Sequence, residues 1–187
     1  SEWKCASAVD VGSAPCHIAV VNDKIVSANY MGGNVSVLLT NERGELTDLR
    51  SYETKGSLPT NDRFRKDRQE SPHPHHVEII EDNIIAVSDL GLDTITILDS
   101  ETGEDKGMIH IGEGRGVRRA LFRNNLLYTM NELDNTLSVI SYPDGNFVQE
   151  SVPLLDDQKL SNRNHHRGGS DIAFSPCGKY LIAATRS

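Results

Sequence analysis

Apolar positions along this chain come in short clusters, and polar turn residues part them at close intervals. The first cluster, "HIAVV" (17–21), is followed by "NDK" and then by "IVSANY" (25–30). "MGGN" leads into "VSVLLT" (35–40), and "NERGE" into "LTDLRSYE" (46–53). Short runs rich in Val, Ile and Thr, bounded by Gly, Asn and Asp, predict four antiparallel strands. No long segment carries the 3.6-residue periodicity of an amphipathic helix.

The unit recurs. A second copy begins at "HHVEII" and runs through "IIAVSDL", "ITILDS" and "KGMIHIG"; a third runs from "RRALF" through "LLYTMNE" and "LSVISY" to "FVQESV". A fourth starts with "DIAFS" and continues with "YLIAATRS". Asn29, Asp89, Asn131 and Thr185 fall at equivalent second-strand ends, 60, 42 and 54 residues apart. In the first three copies a third strand opens six residues on, at Val35, Ile95 and Leu137. A four-stranded antiparallel unit repeating every 40–60 residues is the sequence signature of a propeller blade. The predicted class is therefore all-β: a partial β-propeller over residues 1–187, with blades at 16–53, 76–111 and 118–153 and a partial one at 171–187. Counting "KCASAVDV" (4–11) as the outer strand of a preceding blade gives fifteen strands, just under four blades. Such an array leaves open edges. The remaining blades are expected in the same or another chain, and this chain alone is expected to associate.

Composition narrows the function. The net charge of −8 argues against general binding of nucleic acid, which needs a basic face. The apolar runs are far shorter than the ~20 residues of a membrane span. Cys5, Cys16 and Cys177 form no metal-like spacing, and free thiols in a cytoplasmic protein are expected. "GEGRG" (112–116) lacks the following helix that a nucleotide loop requires. Two long polar insertions, 46–72 and 153–170, are placed to shape a site on one face of the array.

Several motifs then become specific. "PCHIAV", "ANYMGGNVSV", "RQESPHPHHV", "SDLGLDTITI", "GRGVRRALF", "MNELDNTLSV" and "SDIAFSPCGKYLIAATRS" occur in this order. Together they resemble the seven-bladed propeller lactonase family, which includes propeller-type 6-phosphogluconolactonases and fungal enzymes that lactonise 3-carboxy-cis,cis-muconate. The resemblance runs from about Gly12 onward and covers a little over half of such a propeller. It implies a site of one histidine, two arginines and one glutamate: His75 (with His73 the alternative), Arg118, Arg186 and Glu132. The family commonly shows Gly-Pro-Arg-His where this chain has Gly116-Val117-Arg118-Arg119, and Asn-Arg-Gly where it has Thr185-Arg186-Ser187. No cofactor is implied.

The repeat supports part of this set independently. Tyr30, Leu90, Glu132 and Arg186 follow equivalent second-strand ends, so they should ring one mouth of the central channel. His73 and His75 differ by two and should share a strand face, with His76 pointing the other way. A zinc site drawing on His165 and His166 lacks Cys or carboxylate pairs at ligand spacing, and no metal is expected. Arg63, Arg65, Lys66 and Arg68 form a basic cluster suited to drawing an anion to the mouth. His17, Asn29, Arg68, Gln69, His73 and Asp89 are the candidates for substrate contact. The expected activity is hydrolysis of a small anionic lactone, such as 6-phosphogluconolactone, with His75 or Glu132 as base and Arg118 and Arg186 as the anion clamp. The alternatives are carboxymuconate cycloisomerisation and a non-catalytic binding platform.

Overall fold

The computed structural model describes residues 3–63, 65–154 and 168–186. Three four-stranded antiparallel sheets and a two-stranded one follow each other along the chain. The first holds β1 (Pro15–Val21), β2 (Lys24–Asn29), β3 (Asn34–Thr40) and β4 (Leu46–Glu53). The second holds β5 (Pro74–Ile79), β6 (Ile84–Asp89), β7 (Thr94–Asp99) and β8 (Asp105–His110). The third holds β9 (Val117–Arg123), β10 (Leu126–Asn131), β11 (Thr136–Ser141) and β12 (Phe147–Pro153). The last pairs β13 (Gly169–Phe174) with β14 (Leu181–Thr185). These are the predicted blades, displaced by two residues or fewer at their boundaries. One expectation fails: residues 4–11 form no strand. Their backbone serves other donors, since the Val11 carbonyl accepts hydrogen bonds from Asn29 Nδ2 at 2.8 Å and Ser36 Oγ at 2.6 Å.

The turn chemistry explains why the blades repeat. The fourth residue after each second-strand end adopts a left-handed conformation: Gly33 (φ 65), Asp93 (φ 55) and Asn135 (φ 56). Gly, Asp and Asn are the residues that enter this region most readily. The strand-end residue then ties the turn down. Asn29 Nδ2 donates to Asn34 and Ser36, and Asn131 Nδ2 donates to Thr136 and Ser138.

First strands lie innermost. β1 packs on β5, β5 on β9, and β9 on β13. Two apolar layers sit between the blades. In β6, Ile85 and Val87 face the first blade's Val26, Ala28 and Val35, whereas Ala86 joins Ile95, Ile97 and Leu127 on the other side. A strand buried on both faces reads as a continuous apolar run, which is why "IIAV" shows no alternation.

Candidate functional site

The site arises from one irregularity repeated in every blade. Each first strand carries a β-bulge at its beginning. Pro15 pairs Asn29 but His17 pairs Ala28; Pro74 pairs Asp89 but His76 pairs Ser88. Val117 pairs Asn131 but Arg119 pairs Met130; Gly169 pairs Thr185 but Asp171 pairs Ala184. The extra residues are Cys16, His75, Arg118 and Ser170. A bulge breaks the alternation of side chains and re-aims two neighbours together. As a result both the bulged residues and the next four (His17, His76, Arg119 and Asp171) line one cavity of about 150 Å³.

This corrects the expectation that His76 faces away from His75. It also separates His73 from them. His73 is buried, its ring stacked on Tyr30 with centroids 4.4 Å apart. Its Nδ1 sits 2.9 Å from the Tyr30 carbonyl and its Nε2 3.1 Å from Glu70. His73 thus holds Tyr30 in place rather than lining the cavity.

A second layer lies just past the ends of the second strands. The same backbone hydrogen bond recurs in all four blades: Tyr30 N to Ala14 O, Leu90 N to His73 O, Glu132 N to Gly116 O and Arg186 N to Gly168 O. It fixes Glu132 beside the bulge residue Arg118. Glu132 is 1% exposed and is the hub of the layer. Its Oε2 meets Arg118 Nη1 at 2.5 Å, and its Oε1 meets Arg186 Nη2 at 2.6 Å and Arg68 Nη2 at 2.7 Å. Arg118 is held from its other side by the Ser170 carbonyl, 2.8 Å from Nε. Three guanidinium groups against one carboxylate leave two net positive charges, and each arginine keeps part of its side chain open to solvent.

Electrostatics follow from this packing. Burial alone would raise the Glu132 carboxyl, but Arg68 and Arg118 outweigh it and hold the pKa below the ordinary value. His75 is pushed down to about 4, by burial first and by Arg118 next. His76 falls to about 2, by burial and then by its neighbour His17. Both imidazoles are neutral at pH 7. His75 stands edge-on to Tyr30, centroids 5.5 Å apart, with Cys16 Sγ 4.0 Å from its Nδ1.

His75, Arg118, Glu132 and Arg186 therefore gather at one edge of the blades. Of the six residues considered for substrate contact, Arg68 joins the arginine cluster and His17 lines the cavity. The others do not reach it, because their polar groups are spent on structure. Asn29 is fully buried in its turn network. Asp89 accepts from His73 N, Leu92 N and Thr54 Oγ1, which closes the β6–β7 turn. Gln69 is buried, donating to the Leu90 carbonyl at 3.0 Å and accepting from Arg65 N. That anchor is what delivers its neighbour Arg68 to Glu132. Cys16, Ser170, Arg119 and Asp171 escaped the sequence reading as cavity residues; aligning first-strand starts across the blades would have found them. Among the described residues no three His, Cys, Asp or Glu side chains gather in a way that could hold a metal ion. His165 and His166 lie outside the described residues.

Successive four-stranded antiparallel sheets packed through their first strands define the chain as a segment of a β-propeller. Residues 2–187 match the family "Lactonase, 7-bladed beta-propeller", and the chain belongs to that family. A protein of Bacillus subtilis named 6-phosphogluconolactonase is 28% identical over 186 residues, which cover 94% of this chain and 50% of that protein. An Arthroderma benhamiae protein named "Probable 6-phosphogluconolactonase" is 28% identical over 177 residues, covering 87% of this chain and 42% of its own. A Bacteroides fragilis crystal structure, described as "a putative 6-phosphogluconolactonase", superposes with a TM-score of 0.75 at 29% identity, over 95% of this chain and 51% of that one. The chain spans about half the length of the curated relatives it matches.

Proposed function

We propose that this chain carries the catalytic pocket of a lactone hydrolase acting on a small anionic lactone, with 6-phosphogluconolactone the first candidate. The observation that supports this most is the convergence of Arg68, Arg118 and Arg186 on the buried Glu132, beside the neutral His75. In this reading the arginines bind the substrate's anionic group and stabilise the oxyanion that forms at the carbonyl. Their planar forks suit both tasks. Water attacks the lactone carbonyl carbon while His75 takes its proton. The ring C–O bond then breaks, and the departing oxygen takes the proton back from His75. Glu132 is the poorer base for the attack, since the arginines weaken its affinity for a proton and its carboxylate is closed to solvent. Its role is to set the spacing of the guanidinium groups. The anion also helps His75: bound against Arg118, it offsets the positive charge that lowers the imidazole pKa. The three unpaired thiols support a cytoplasmic setting.

The test is Arg118→Ala in the full-length protein. Turnover of the anionic lactone should drop by about one to three orders of magnitude, roughly 1.4–4 kcal/mol of barrier. A neutral lactone of the same ring size should suffer less. A folded variant that turns over the anionic lactone at the parent rate overturns the reading.

A further inference from the structure

The cavity has a second wall that the mechanism above does not use. His17 and His76, from neighbouring blades, meet with ring centroids 3.9 Å apart. His17 Nδ1 accepts the Val77 backbone N–H at 3.3 Å, which commits that nitrogen. His76 is 3% exposed, and its Nδ1 has no hydrogen-bond partner. A buried polar atom left without a partner costs about 1–3 kcal/mol, so its persistence beside a cavity points to a ligand group that satisfies it. The rest of that row, Arg119 and Asp171, forms an ion pair at 2.9 Å. The cavity, at about 150 Å³, is roughly ten times the volume one water requires.

We infer that His17 and His76 are specificity-determining residues that bind hydroxyl groups, so that the site selects an anion carried on a polyhydroxylated ring or chain. This rests on the anionic-ligand reading above and specifies what the anion is attached to. The chemistry follows from protonation. Burial lowers both imidazoles, His76 to about 2, and both are neutral. Neutral His76 offers one donor and one acceptor, which matches a hydroxyl, and His17, its Nδ1 spent on the Val77 N–H, adds a donor. A phosphate or carboxylate wants donors only, and those are supplied by the arginines. The site is thus divided: Arg118 in the cavity, with Arg68 and Arg186 beside it around Glu132, for charge, and His17 and His76 for hydroxyls. A polar site rejects an analogue lacking its hydroxyls, because the buried imidazole is then left unpaired.

Two probes of equal charge and chain length separate these parts: sorbitol 6-phosphate and hexyl phosphate. Calorimetry on the full-length protein should find sorbitol 6-phosphate bound at least tenfold more tightly. His76→Phe should abolish that preference while leaving hexyl phosphate bound as well as before. His76→Gln, which keeps a donor and an acceptor, should restore most of it; a merely structural role would not show this rescue. Where His76→Phe fails to fold, His17→Phe, at a partly exposed position, makes the same measurement. An unchanged ratio in a folded Phe variant, or a parent protein with no preference for the polyol, overturns the inference. If the parent protein binds neither phosphate, the anion reading falls with it. Intact binding of hexyl phosphate without a polyol preference defeats the hydroxyl wall alone.

Discussion

At the scale of single residues, the site is governed by where charge is allowed to sit. Glu132 survives burial because three guanidinium groups surround it, and His75 stays neutral because burial and Arg118 both oppose its protonation. A pH profile follows. If His75 is the base, kcat/KM for an anionic lactone should stay level as pH falls through 6.5. It should then decline to half near pH 4, the value in the free protein. The acid limb of kcat should lie higher, because the bound anion offsets Arg118. A kcat/KM midpoint near 6.5 would remove His75 from that role. The same shifts bear on stability. Folded His75 and His76 have pKa values below the unfolded value of about 6.5, so the unfolded chain binds more protons in acid. Their contribution is complete above pH 6.5 and is lost progressively as pH falls toward 4 and then 2. Thermal melting should therefore show a falling midpoint over this range, less steep in His76→Phe.

At the scale of elements, the bulged first strand and the segment that crosses to it decide whether the site forms. Gly91 is the tight point. A Cβ there would collide with the backbone carbonyl oxygen of Ser71, which cannot swing aside as a side-chain tip would. Gly91→Ala should push the 71–73 segment away from β6, weaken the His73–Asp89 bond and disturb the entry to β5 at His75. The expected loss is about 1–3 kcal/mol by urea unfolding, with weaker anion binding as the companion readout. Ile85→Ala, in the layer between the first two blades, should cost about 2–5 kcal/mol through its cavity alone. It leaves the bulges untouched, so anion binding by the folded fraction should persist. Equal loss of binding in both variants would show that the bulge segment has no special part in building the site.

At the scale of the whole molecule, the outer faces of the two end blades are apolar and open. Ile18 and Val20 on β1 are 63% and 64% exposed, and Ile182 on β14 is 58% exposed. The equivalents of Ile18 in the next two blades, Val77 and Ala120, are buried. Exposed apolar patches on sheets favour association. We propose that further blades, in the same or another chain, cover them. The 187-residue polypeptide made alone should therefore associate, as light scattering would show, and Ile18→Ser with Val20→Ser should reduce it. A compact monomer at high concentration would contradict this.

The sequence by itself determined the strands, their order and the blade repeat. Those depend on local signals: short apolar runs, and Gly, Asp or Asn at the left-handed turn positions 33, 93 and 135. It also brought Glu132 and Arg186 to equivalent places, because period and strand end can be read by counting. The tertiary structure alone decided which side chains share the cavity. Alternation placed His76 opposite His75, and only the bulge at His75, visible in the pairing with β6, turns both inward. It likewise decided that Asn29, Gln69 and Asp89 are consumed by turns while Arg68, far away in sequence, completes the charge around Glu132. Polar residues advertise chemistry in a sequence, but whether their hydrogen bonds are already spent depends on neighbours that folding brings from other blades.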